Sequence, residues 1–218
     1  MRHVLGTIAV GMMSLLGSSA LAELPPVKKA TAFFNGCDYS IQSRPFEGLA
    51  AGQSPWIYYK VVIQREQGPY CWFPPATLEL LDVAYEPELA ILADYQGIAV
   101  AYGWTTSSRS TGLSTRIRVG RVNPYASNAE ALEITRQSTL EAYQFASSTS
   151  GPTPGSLYLD RLTFNYGNLE VRGRLTGNWV AAQESPSSGP ISLLEGDHFI
   201  AIYPGIFSTT QPPLFVTY

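Results

Sequence analysis

Charge is the first scarcity. Only 14% of the 218 residues are Asp, Glu, Lys or Arg, where globular domains carry roughly a quarter. The balance is acidic, with 17 acidic against 14 basic side chains and a formal charge of −3. That excludes a nucleic-acid binder working by phosphate neutralisation. Histidine and cysteine are rarer still, two of each, so no zinc site and no other metal or cofactor is expected. Gly-x-Ser-x-Gly, Cys-x-x-Cys and Asn-x-Ser/Thr are all missing. Their absence removes the signatures of an α/β-hydrolase, a thioredoxin-like redox pair and an N-glycosylation site. No apolar run reaches the roughly 20 residues of a membrane-crossing helix. At 45%, hydrophobic residues are too many for a disordered chain.

What is present begins with an export signal. Arg2 and His3 open the chain, Val4–Leu16 is apolar and uncharged, and Ala20-Leu21-Ala22 offers small residues where a signal peptidase reads them. The apolar run is too short to span a bilayer, and no cysteine follows the cleavage site to carry a lipid. Residues 1–22 are therefore read as a signal peptide and 23–218 as one exported β-rich domain. Loss of Arg2 takes the formal charge from −3 to −4. The expected location is periplasmic or extracellular. Cys37 and Cys71 both lie in the exported part, which reads as one disulfide in an oxidising compartment. Closing a loop of about 35 residues is worth about 4 kcal/mol on the chain-entropy account.

Patterning predicts a mainly β fold, an antiparallel sandwich or barrel-like domain with one surface α-helix. Trp56–Gln64 (WIYYKVVIQ) suits a strand apolar on both faces. Ile98–Thr106 and Ser114–Val122 read as two strands joined by a polar loop. Leu157–Tyr166 and Asn168–Ala182 read as a hairpin turning at Tyr166-Gly167-Asn168. Leu169, Val171 and Leu175 alternate there with Glu170, Arg172 and Arg174. Gly173 falls on the apolar face and marks a bulge or a close backbone approach. Asp38–Pro55, rich in Gly, Ser, Pro and Gln, reads as loop. Ser127–Ala146 is read as the helix, from good helix formers and a Ser127/Glu130 capping box. Ser147–Ser156 (SSTSGPTPGS) reads as a loop or sub-boundary.

No stretch carries a motif specific to one reaction. His198 follows Asp197, but adjacency in sequence does not give triad geometry. Glu86 and Glu88 flank Pro87 and read as a solvated loop, not an acid/base pair. Arg116 and Arg118 share a strand face, as do Arg172 and Arg174. Neighbouring strands would make these a four-guanidinium ladder for phosphate or carboxylate groups. Twelve per cent of the chain is aromatic. Trp72, Trp104 and Trp179, with several tyrosines, are candidates for a stacking platform.

The functional reading is an exported, non-enzymatic binding or structural module of the cell envelope or exterior. Its expected partners are a glycan, an anionic ligand or an envelope protein. Nucleic acid and a membrane-spanning helix after leader removal are not expected. The alternatives are a secreted hydrolase using carboxylates or His198, and a small outer-membrane β-barrel suggested by the closing Leu214-Phe215-Val216-Thr217-Tyr218. Protein expressed with its own leader should give an intact mass that begins at Glu23 and is two hydrogens lighter than its reduced form. Retention of residues 1–22 would refute the export signal.

Overall fold

β6 (Gly97–Ser108) explains the architecture, because from Ile98 to Trp104 its sequence has no polar face to offer water. Ile98, Ala99, Val100, Ala101 and Tyr102 are all buried, although successive side chains point to opposite sides. A sheet containing such a strand must be covered twice. The computed structural model describes residues 24–48, 56–108, 112–124, 131–144, 153–177, 179–183, 192–193 and 196–218. Within them, three antiparallel sheets provide that cover.

The first sheet has the order β1 (Lys28–Phe34), β2 (Cys37–Gly48), β3 (Trp56–Glu66), β4 (Ala76–Val83). The middle sheet runs β13 (Ser192–Leu193), β12 (Trp179–Gln183), β8 (Glu133–Gln144), β7 (Gly112–Asn123), β6, β5 (Glu88–Asp94), with β9 (Thr153–Pro154) also paired to β8. The third sheet is β10 (Ser156–Asn165), β11 (Asn168–Thr176), β14 (His198–Tyr203), β15 (Leu214–Thr217). None of the three closes on itself, so the arrangement is sandwich-like and not a barrel. Ile98, Val100 and Tyr102 pack with Tyr39, Ile41, Val61 and Ile63 of the first sheet. Ala99 and Ala101 pack with Leu157, Val171, Phe199 and Ala201 of the third.

The helix expected over Ser127–Ala146 is absent. Glu133–Gln144 is a strand, while the Ser127/Glu130 capping box lies outside the described residues. Its alternation is hard to read because it changes phase. Arg121 pairs with Arg136 and Val122 with Ile134, so Thr135 is an extra residue. That bulge sends Leu140 and Ala142 into one core, and Leu132 and Ile134 towards the other. Arg136 and Ser138 break the apolar run for reasons of partnership. Ser138 bonds the Tyr203 hydroxyl at 2.5 Å, and Arg136 reaches loop carbonyls. Pairing and burial override a weak helical propensity.

Asp38–Gly48 is likewise strand and not loop. Tyr39 and Ile41 point into the core. On the opposite face, Gln42 donates to Ser40 (2.8 Å) and Gln64 (3.0 Å), and Arg44 donates to Gln42 (2.9 Å) and Gln64 (2.6 Å). A polar composition here serves a cross-strand ladder. The two hairpins β1–β2 and β10–β11 turn through Asn35-Gly36 and Tyr166-Gly167, both residues of each pair at positive φ, as two-residue hairpin loops require.

The Cys37–Cys71 disulfide forms. It ties the start of β2 to the 67–75 connection, in keeping with an oxidising compartment. Arg65, fully buried, donates to the Pro74 carbonyl at 2.8 Å and the Pro124 carbonyl at 2.9 Å. It thereby joins the first sheet to the end of β7. Residues 1–22 lie outside the described residues, as do 147–152 of the expected loop; beyond it, Thr153–Pro154 pairs back onto β8.

Gly173 opposes Leu159 beside a bulge at Asp160. A methyl group there would stand 1.9 Å from the Tyr158 carbonyl oxygen and 2.7 Å from the Phe199 ring. Gly173→Ala should lower unfolding free energy by about 2 kcal/mol, read by denaturant melts. An unchanged midpoint would mean that the close approach of β10 and β11 does not matter.

Candidate functional site

The four arginines singled out by spacing do not meet. Arg116 and Arg118 stand on β7, opposite Trp104 and Tyr102. Arg172 and Arg174 stand on β11 in another sheet. Ile117 and Val119 share one core with Val171 and Leu175, and that core separates the two pairs. Nor are the charges idle. Arg116 pairs with Glu141 at 3.1 Å, Arg172 with Glu170 at 2.6 Å, and Arg174 with Asp160 at 3.4 Å. The Arg118 guanidinium lies 5.1 Å from the Trp104 ring centre, and its Nε is 3.4 Å from Thr139 Oγ1.

These partnerships tune the groups involved. Arg172 and then Asn165 hold the Glu170 carboxyl below its usual range, so it stays ionised. Burial, with the hydrogen bond to Glu141 added, pushes the Tyr143 hydroxyl up to about 12. Tyr143 therefore stays protonated and donates to Glu141. Both clusters are internally satisfied.

The tryptophans divide. Trp104 is only 8% exposed, lying among core side chains and beneath Arg118, and offers no platform. Trp72 is 93% exposed, on the connection that the disulfide pins at Cys71. The backbone of Trp179 pairs with Tyr143 and Leu193; its side chain lies outside the described residues. His198 Nδ1 is 2.7 Å from Asp197 Oδ1, and its ring stacks on Tyr218 at 5.6 Å. The pair is exposed, and His198 draws the Asp197 carboxyl down.

Sequence reasoning missed a groove. Trp56, Ile57 and Tyr59 at the start of β3 face Ala84, Tyr85 and Glu86, which follow β4, across about 400 Å³. Trp56 is 57% exposed, yet its Nε1 donates to the Ala84 carbonyl at 3.2 Å, which fixes the indole. Tyr85 is also exposed. The signal was position. Both aromatics stand at strand ends, Trp56 after a Gly/Ser/Pro run and Tyr85 before Glu-Pro-Glu. Rings at a sheet's end cannot be roofed by a neighbouring strand.

Glu88 is not on a solvated loop. It opens β5 opposite Gly103, and its carboxylate accepts the Leu159 N–H. Among the described residues, no group of three or more His, Cys, Asp or Glu could hold a metal ion, and no helix is long and apolar enough to cross a membrane.

Comparison with known proteins finds no matching family model, no matching curated protein and no matching solved structure.

Burial raises the Glu88 carboxyl above its ordinary value of 4.5, outweighing the Leu159 N–H and the charges of Lys28 and Arg174. The native state thus holds this proton more tightly than the unfolded chain does. The associated stability is full below pH 4.5 and is lost as pH rises towards the folded value. Glu88→Gln, which cannot ionise, should gain thermal stability relative to the wild type between pH 4 and pH 7. A pH-independent difference in melting temperature would contradict this.

Proposed function

We propose that the protein is an exported, non-enzymatic binding module of the periplasm or cell exterior, and that the Trp56 groove takes a glycan. The observation that carries this is an indole and two tyrosines lining one open groove beside a carboxylate. Aromatic faces stack on the C–H faces of sugars and gain from excluding water there. Glu86 adds an acceptor for sugar hydroxyls. The arrangement follows the usual form of a ligand site, largely apolar with a few placed polar groups.

Rigidity supports the reading. Trp56, Ile57 and Tyr59 belong to β3, which is hydrogen-bonded on both sides by β2 and β4. The indole is already held by Ala84. A preorganised ring loses little rotamer freedom on binding, so more of the contact energy appears as affinity. The disulfide, with the export signal read from the sequence, supports a compartment where envelope and extracellular glycans are met.

Tryptophan fluorescence should report saturable binding in titrations with a panel of envelope and extracellular oligosaccharides. Trp56→Ala should weaken it at least about tenfold, the scale of losing one aromatic anchor. Trp72→Ala, at the distant disulfide-pinned connection, should not. Failure of the whole panel, or an unchanged affinity in Trp56→Ala, would overturn the glycan reading.

A further inference from the structure

We propose that the cavity between Phe34 and Phe207 is a binding site, independent of the aromatic groove, that takes a small aromatic carboxylate on Arg121. The cavity has a volume of about 240 Å³. It lies where the three sheets meet at one end. Phe34 closes β1, Arg121 and Val122 stand at the end of β7, Gly97 opens β6, and Phe207 follows β14. Phe34 pairs with Cys37 and Trp56 with Gly48, so the cavity and the Trp56 groove stand at opposite ends of the first sheet.

The walls are apolar and fixed. Phe34 belongs to one core, and Phe207 packs against the other. The Phe207 ring tilts against Phe164 at 5.6 Å between centres. Beneath it lies Gly97, where a methyl group would stand 2.8 Å from that ring. Val122 and Pro124 complete the apolar lining. Such rings receive another ring edge-on or offset. Pockets for drug-sized ligands run to roughly 300–1,000 Å³, so this smaller space suits a single ring with a short polar end.

Arg121 supplies the partner for that polar end. Its Nε donates to Thr135 Oγ1 at 2.8 Å and its Nη1 to the Phe207 carbonyl at 2.5 Å. Both acceptors are neutral, so they orient the guanidinium without cancelling its charge. Among the described residues, no carboxylate pairs with Arg121, whereas Arg116, Arg172 and Arg174 each meet one. Guanidinium carries five N–H donors, so Nη2 and the second Nη1 hydrogen remain for the two oxygens of a carboxylate. The Asp94 carboxylate in the adjoining turn does not line the cavity; it accepts the Gln96 and Gly97 N–H groups at 2.7 and 3.2 Å. A cation at the edge of two aromatic walls selects for charge and ring together.

The test is a chemical-shift titration of the isotope-labelled, disulfide-bonded protein with benzoate, benzamide and acetate at matched ionic strength. Benzoate should shift the Gly97 and Val122 amides saturably. Benzamide lacks the charge and acetate lacks the ring, so each should bind at least about tenfold more weakly, the scale of one charged hydrogen-bonding group or one buried ring. Arg121→Gln should weaken benzoate by about the same factor and leave benzamide unchanged. Because Arg121→Gln also releases the Phe207 carbonyl, Gln96→Glu is the second variant. It puts a carboxylate at the exposed turn that lines the cavity, and at low salt it should weaken benzoate about threefold while circular dichroism stays unchanged. Absence of a saturable benzoate shift at these amides overturns the site. So does benzamide or acetate binding as tightly as benzoate, or a folded Gln96→Glu protein that binds benzoate like the wild type. Oligosaccharide binding at Trp56 should survive Gln96→Glu, so the two sites fail separately.

Discussion

Every side chain of β6 from Ile98 to Tyr102 is shut away from water, on both faces of the middle sheet, and the other two sheets exist to achieve that. Burying apolar surface is the main favourable term in folding, near 25 cal/mol per Å². A two-faced strand collects it twice, but only if both covers are in place. That requirement assigns the remaining strands their patterns. β5 follows β6, with Ile91 in one core and Ala90 and Leu92 at the other. The outer sheets need one apolar face each, and they have one: Tyr39 and Ile41 in β2, Val171 and Leu175 in β11. Polar chemistry is thereby pushed to outer faces and strand ends, and the Trp56 groove lies at one such end.

Covering a sheet with a second sheet leaves the connections to be secured. The first sheet is secured covalently and by one buried charge. Cys37–Cys71 closes a loop over a sequence separation of 34 residues, which removes freedom mainly from the unfolded chain. Arg65 sits fully buried with its guanidinium on the Pro74 and Pro124 carbonyls and over the Phe73 ring at 5.2 Å. A buried charge is costly unless its donors are used. Its removal would strand two carbonyls and loosen the first sheet from β7. The exposed rings of Tyr70 and Trp72 are presented from this anchored connection.

Legibility in the sequence followed the number of faces that a strand had to satisfy. β6, apolar from Ile98 to Trp104, and the β10–β11 hairpin as far as Thr176 could be read from residues alone, but Trp179–Gln183, read as the end of that hairpin, pairs with β8 in the middle sheet. So could the disulfide, because two cysteines in the chain allow one intramolecular pairing. β2 was hidden because its outer face is a hydrogen-bonded ladder of Ser40, Gln42, Gln64 and Arg44, and polar composition reads as loop. β8 was hidden because a bulge at Thr135 divides its apolar residues between two cores. In each case the missing information was long-range: which strand lay opposite, and what lay above it.

The same reason separates the arginines. Spacing by two identified Arg116 with Arg118 and Arg172 with Arg174, since period two puts neighbours on one face. It carried no information on what stands opposite each of them. Glu141 meets Arg116 and Asp160 meets Arg174 from other strands, Trp104 and Thr139 meet Arg118, and only the Glu170 partner of Arg172 shares its strand face; an ion-paired guanidinium has less to gain from a ligand anion. Arg121 and Arg136 lie 15 positions apart and meet only because β7 and β8 pair in one register. Their contacts are to carbonyls of a segment more than 70 positions further along the chain. Tertiary pairing decides which guanidiniums meet and what each of them is bonded to. A search for anion sites in β proteins of this kind should therefore begin from cross-strand partners and their neutralising groups, and only then return to spacing along a single strand.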